Sequence, residues 1–550
     1  MQTHRLGLRR FSSALTAVLL ICLACILTGC ARWKNLTAEQ MLEDFEYLFT
    51  VLRDNHPYLA LKARAEGYDW LAHKDEFGKA VGESTDDRSF AQAIASMLRQ
   101  INNGHTDIVP ASFVKDVAGW NEEPWKAIAK DTSASHIDYW CNLAQPPAAT
   151  AASERQSPFL AVYNAGEYVI VAAAPSKDIQ DLLEPGMVVL EVNGRPAQDY
   201  VKSQRGLPVP WQSRLRFDPA RRVVYQRELA LPSSGEPITL TVRFHGETFS
   251  LKVPWATTPW NRACPWPPTY SGGKGSGSPN LYMDTLGDGK VAYVQIRSFL
   301  PRPEDPQILA GFFESAKDLP AIIIDIRGNS GGNTTYWMND IVGRLTPEPV
   351  ECTYYLACRP GDYIRPFVQA KAQAVSLSQV TKGELLDRAG ERLRPNIPPE
   401  VLTYDFADPF ALRMVVNSRD SIRYRGRVFV LADDLSFSGA EGFAAFCKAT
   451  GFATVVGTWT GGDGIAITPV FVSLPNSGMV VRFPVVMGLN PDFAANAETH
   501  TRPDVLVEQS VGDIVAYLAK LDMREGLTPG PSWDAALREC LRLALDGVSR

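Results

Sequence analysis

The chain has 550 residues, is 45% hydrophobic and carries 55 basic against 61 acidic side chains, a formal charge of −6. That length and apolar content suffice for about two to four domains with substantial cores. An acidic balance without basic clusters argues against a nucleic-acid partner, and the scattered cysteines lack the paired spacing of a zinc site, so neither metal nor organic cofactor is expected.

The amino terminus reads as a targeting segment. Arg5, Arg9 and Arg10 precede an apolar run from Ala14 to Leu27, which at about fourteen residues falls short of the roughly 20 that span a bilayer. Leu27-Thr28-Gly29-Cys30 closes the run and resembles a bacterial lipoprotein signal over residues 1–29. The resemblance implies lipidation of Cys30, and Ala31 beside it is similar to lipoproteins sent to the outer membrane. The expectation is a periplasmic body that touches the membrane only through its lipid; a plain secretory signal is the alternative. Loss of the signal moves the formal charge from −6 to −9, since it holds three arginines and no acid. Six cysteines remain beyond Cys30, and an oxidising compartment allows one or two disulfides, Cys352 with Cys358 being the most local pair.

Residues 30–115 read as a helical domain. Thr37-Ala38-Glu39-Gln40 is a capping box, and Met41, Phe45, Leu48 and Leu52 then share one face. A second amphipathic run, Phe90 to Ile101, stops at Asn102-Asn103-Gly104-His105-Thr106-Asp107, so His105 is expected on a turn between helix and strand. Residues 155–258 have β character, and Pro185 to Gly194 is similar to the strand-and-turn signature of a PDZ domain, which captures extended peptides along a sheet edge. Residues 259–281 are Pro-rich and then Gly/Ser-rich, the composition of a linker or mobile loop. From 282 to 522 strands and helices alternate, with the continuously apolar Ala321 to Ile326 as a central strand; 359–413 is a proline-dotted insertion without a clear reading, and 523–550 closes with a helix.

Two stretches carry chemistry. Val428 to Ala432 is a strand that ends in Asp433-Asp434, and Ser436-Phe437-Ser438-Gly439-Ala440-Glu441 leads into a helix. A serine on such a turn lies next to the free N–H groups of the first helical turn, where developing negative charge is stabilised, so Ser438 is the candidate nucleophile. The plainer alternative is that Ser436 or Ser438 only caps the helix. Asp325 to Asn333 follows the central strand, and its glycines let a carbonyl approach the backbone closely; Gly331 and Gly332 supply one half of a candidate oxyanion hole and Gly439 the other.

Together with Val455 to Gly462, and after a PDZ-like segment, these motifs resemble peptidase family S41, which includes the carboxy-terminal processing proteases, the tricorn core and the interphotoreceptor retinoid-binding repeats. The resemblance implies an α/β fold, a ClpP/crotonase-like catalytic core with an N-terminal helical domain and a PDZ-like β domain, and Ser438 as nucleophile acting on a polypeptide substrate. The processing branch has a lysine base in the loop after Gly-x-x-Thr-x-Gly; here that position falls at Asp463, and no lysine lies between Lys448 and Lys520. The tricorn-like branch uses a histidine instead, and Asn103-Gly104-His105-Thr106 is similar to its pattern, which makes His105 the expected base and His500 its rival. Glu498, before Pro503-Asp504, corresponds to the family's orienting glutamate, with Asp463 as an alternative. A binding protein on the same scaffold, favoured by the missing lysine, and an envelope scaffold working through its PDZ-like domain are the competing readings. Oligomeric state is not legible.

Overall fold

A computed structural model describes residues 33–120, 123–145, 157–209, 214–231, 236–257, 260, 268, 270, 277–375, 377–419, 422–522 and 528–546. The signal, Cys30 and most of the 259–281 linker lie outside the described residues. The chain divides into two compact units. One takes in 33–54, 70–145 and 469–483; the other takes in 55–69, 157–468 and 484–546.

The first unit is helical, as the apolar periodicity requires. Thr37 and Gln40 exchange the two bonds of the capping box at 2.9 and 3.3 Å, and Ala38–Asn55 and Asp87–Gln100 bury Phe45, Leu48, Phe90 and Ile94. The unit is not contiguous in sequence. The hairpin Val470–Ser473 and Val480–Phe483 pairs with Asp107–Ile108, and the buried Asp44 carboxylate accepts the N–H groups of Asn476 and Ser477 at the hairpin turn.

The second unit is built on a six-stranded sheet in simple sequential order: β1 (Leu281–Leu286), β2 (Val291–Ile296), β3 (Ala321–Asp325), β4 (Arg427–Ala432), β5 (Thr454–Gly457) and β6 (Val505–Leu506). Only the β1–β2 pair is antiparallel. Every residue of β3 is buried because both faces of the sheet are covered, which is why its sequence is continuously apolar rather than alternating. Ile322 and Ile324 pack with Phe443 and Trp337 on one face, while Ile323, Phe429 and Leu431 pack with Tyr517 and Leu537 on the other. Beyond the sheet's end, Arg327 is wholly buried between Asp325 and Asp534, with hydrogen bonds of 2.6 to 3.0 Å to both.

Residues 159–253 form an antiparallel sheet of five strands in sequential order with a short sixth, and have a hydrophobic core of their own. The insertion resolves into the helices Arg365–Ala374 and Lys382–Leu393 and the strand Phe410–Val416, which pairs with Val350–Ala357; its apolar side chains pack with Tyr58 and Leu61. The five cysteines among the described residues are free thiols. Cys352 and Cys358 cannot be the local disulfide pair, because Val350–Ala357 is extended and holds them about 20 Å apart. Among the described residues no helix is long and apolar enough to cross a membrane.

Candidate active site

The turn after β4 is stitched to the turn after β3 by one carboxylate. Asp433 Oδ1 accepts the N–H of Gly328 at 2.9 Å from the glycine loop, and those of Leu435 and Ser436 at 3.1 and 3.2 Å from its own turn. The Ser436 hydroxyl donates to Ile326 O at 2.9 Å, so this serine is structural. Ser438 is different. It is half-buried, its side chain caps no helix N–H, and its backbone lies at φ 54°, ψ −119°, the first central position of a type II′ turn that ordinarily takes glycine. Strain of this kind is retained where a side chain must be aimed.

The glycine loop lies directly on that turn. At Gly331 (φ 104°) a Cβ would stand 2.8 Å from Ser438 Cβ and 2.6 Å from Gly439 N; at Gly332 (φ 139°) it would stand 2.2 Å from the Phe299 carbonyl carbon. Gly439 is as tightly held, its Cβ position being 2.7 Å from Gly332 O. The oxyanion assignment needs one correction. The N–H of Gly331 is spent on Asn329 Oδ1 at 2.8 Å, so this glycine provides clearance for Ser438 rather than a donor. No acceptor is paired with the N–H of Gly332 or Gly439 among the described residues, which leaves those two to face a developing negative charge.

Glu441, one turn into the helix Gly439–Thr450 (α1), gathers the surrounding loops. Its buried carboxylate accepts from Asn496 Nδ2 and Thr501 Oγ1, both at 2.6 Å, and from Gly462 N at 3.2 Å; burial pushes its pKa above the ordinary carboxylate range. In the loop where a lysine is missing, Asp463 (φ 57°) accepts from the Tyr58 hydroxyl at 2.7 Å. The ring of His56 is wholly buried nearby and burial drives its pKa down to about 3, against the pull of the Asp463 charge. Sequence reasoning passed over His56 and Tyr58 because no local motif surrounds them.

The histidine and glutamate candidates have different surroundings. His105 is half-buried on the turn before Asp107–Ile108, where Asn103 Oδ1 accepts its N–H at 2.9 Å and Arg482 Nη2 donates to Gly104 O at 3.2 Å. His500 lies over Gly462 with its Nδ1 on Thr460 O at 2.7 Å, and burial lowers its pKa to about 4. Burial therefore makes it a weak proton acceptor where it stands. Glu498 does not hold a histidine either: Arg64 donates to it at 2.9 and 2.7 Å and Arg222 at 3.1 Å, so it clamps two arginines, and their pull outweighs burial to lower its pKa.

Two buried neutral histidines have a consequence for acid stability. Their folded pKa values lie below the unfolded 6.5, so the unfolded chain takes up protons first and stability falls as pH drops from about 6.5 toward 4. For His500 alone the full loss is about 3 kcal/mol. His500→Asn, which keeps a donor in the Nδ1 position, is expected to flatten the decline of urea midpoints between pH 6.5 and 4; an unchanged slope contradicts the assignment.

Residues 290–507 match the family model described as peptidase family S41. This region is an S41 peptidase domain. The chain that carries it is a serine-type peptidase. No curated protein is recognisably similar to the chain in sequence. Among solved structures, mature CPAF superposes with a TM-score of 0.50 at 15% identity over 88% of this chain and 96% of its own. The photosystem II D1 C-terminal processing protease gives 0.34 at 15% identity over 86% and 94%. The tricorn protease gives 0.34 at 13% over 92% of this chain and 37% of its own. At such identities the CPAF likeness bears on the fold alone.

Proposed function

We propose that the chain is a lipid-anchored peptidase of the bacterial envelope that cleaves extended or unfolded polypeptides through an acyl-enzyme. The observation that carries this reading is the strained, half-buried Ser438 at the start of α1, with Gly331 against its Cβ and two unengaged N–H groups, of Gly332 and Gly439, beside it. The Ser438 hydroxyl attacks the scissile carbonyl carbon while His105 takes its proton. The carbonyl oxygen, now an anion, receives the N–H groups of Gly332 and Gly439, a pair of donors each worth about 10²–10³ in rate. The protonated imidazole then gives its proton to the departing amine, and water hydrolyses the ester by the same route in reverse. The sheet of residues 159–253 is read as a PDZ-like domain that holds the substrate strand, supported by the Pro185 to Gly194 turn. Lipidation at Cys30 and an outer-membrane address rest on the signal sequence.

Labelling with a fluorophosphonate tests both the nucleophile and its base. Wild type and His500→Ala are expected to label at Ser438, and His105→Ala to lose labelling by at least a hundredfold at pH 7.5. A His105→Ala protein that labels at the wild-type rate removes His105 from the mechanism. The second reading, a binding protein on the S41 scaffold, is favoured by the missing lysine; a wild type that never labels while remaining folded decides for it.

A further inference from the structure

A pocket of about 140 Å³, whose lining includes His500 but not Ser438, lies between the sheet of residues 159–253 and the carboxyl ends of β4 and β5. Ligands of open α/β sheets collect at this end of the strands. One wall is aromatic: Tyr163 and Tyr225 stack with ring centroids 4.2 Å apart, next to Phe217, and Trp459 and Val507 complete a largely apolar lining. The charged groups of the wall are already matched to one another. Arg227 pairs with Asp434 at 2.5 Å and Asp433 at 3.3 Å, Arg221 pairs with Asp218 and Glu508, and the Tyr225 and Tyr163 hydroxyls donate to Asp434 and Asp218. Two arginines are thus shared by four carboxylates, every one of them already in an ion pair, and the wall disfavours an anion. Its volume is close to the roughly 150 Å³ that accepts benzene in an apolar cavity.

The pocket is also connected to the catalytic turns. Asp433 turns its Oδ2 toward Arg227 in the pocket wall and its Oδ1 toward the glycine loop and the Ser438 turn. We propose that this pocket is an effector site for a neutral aromatic ring, and that its occupation stiffens the Arg227–Asp433 link and raises the reactivity of Ser438. The binding half stands on the pocket alone; the effect on rate rests on Ser438 being the nucleophile.

Benzyl alcohol and N-acetylphenylalaninamide serve as probes, titrated calorimetrically against the full chain. One-to-one saturable binding with a Kd of about a millimolar or tighter is expected. The tighter of the two probes identifies the source of the ring, a free small molecule or a polypeptide side chain. Val507→Trp fills the pocket from its half-buried rim and is expected to weaken binding at least tenfold while the melting temperature stays within a few degrees. Saturation with the probe is expected to raise the fluorophosphonate acylation rate at least threefold in wild type and not in Val507→Trp. No saturable binding by either probe, or binding that Val507→Trp leaves intact, overturns the site. Binding without a change in acylation rate overturns the effector role. A wild type that binds but never labels instead refutes the nucleophile assignment on which the rate effect depends.

Discussion

Ser438→Ala is expected to abolish hydrolysis and fluorophosphonate labelling, with a fall in kcat on the order of 10⁶-fold, and to leave the melting temperature close to wild type. Ser438→Gly is expected to be equally inactive but more stable. At φ 54°, ψ −119° any Cβ is crowded, at a cost of about 1–3 kcal/mol that glycine escapes. Glycine's greater freedom in the unfolded chain returns about 0.5–1 kcal/mol of that gain. The net expectation is about 1 kcal/mol in favour of Ser438→Gly over Ser438→Ala, read from calorimetric unfolding. If the glycine variant is no more stable than the alanine variant, the backbone at this position is not strained and the argument for an aimed nucleophile weakens.

Arg327→Met is expected to lose about 3–5 kcal/mol of stability by urea unfolding, because it strands the two carboxylates of Asp325 and Asp534, both fully buried, without a counter-charge. Arg327→Lys is not expected to restore it. The guanidinium donates through Nε and Nη2 to Asp325 and through Nη1 and Nη2 to Asp534, and a single ammonium cannot make both forked contacts. The damage is expected to reach activity, since Arg327 begins the loop that ends in Gly332 and Asp534 caps the helix Ala535–Leu545 through the N–H of Leu537. A Lys variant with wild-type stability shows that charge alone suffices.

The legible parts of this molecule were those in which neighbours in sequence are neighbours in space. The strand, turn and helix around Ser438 and the glycine loop after β3 each fit within about ten to twenty residues, and apolar runs and glycines mark them. The illegible parts join distant segments. Tyr58 reaches Asp463 across 405 positions and Arg64 reaches Glu498 across 434, and neither pairing has a local signature. The partners of Glu498 are Arg64 and Arg222, which lie far from it in sequence. The spending of the Gly331 N–H on Asn329 depended on an Asx-type bond two residues long, which identical glycines in a motif do not reveal. The 359–413 insertion has no reading because the core its short elements share is completed by residues distant in sequence, among them Tyr58, Leu61, Met487 and Phe493.

The hairpin at 469–483 bears on how the chain comes to be folded. Its partner strand near Asp107 is translated long before it: Gly104 and Arg482, which are joined by a hydrogen bond, are separated by 378 positions. At about 5–20 residues per second, ribosomal synthesis leaves that early segment waiting for tens of seconds. During this interval the edge of Asp107–Ile108 and the carboxylate of Asp44 lack the backbone groups that later satisfy them. The first unit therefore cannot complete its sheet until residues 470–483 have been made, and its maturation is tied to the late part of synthesis.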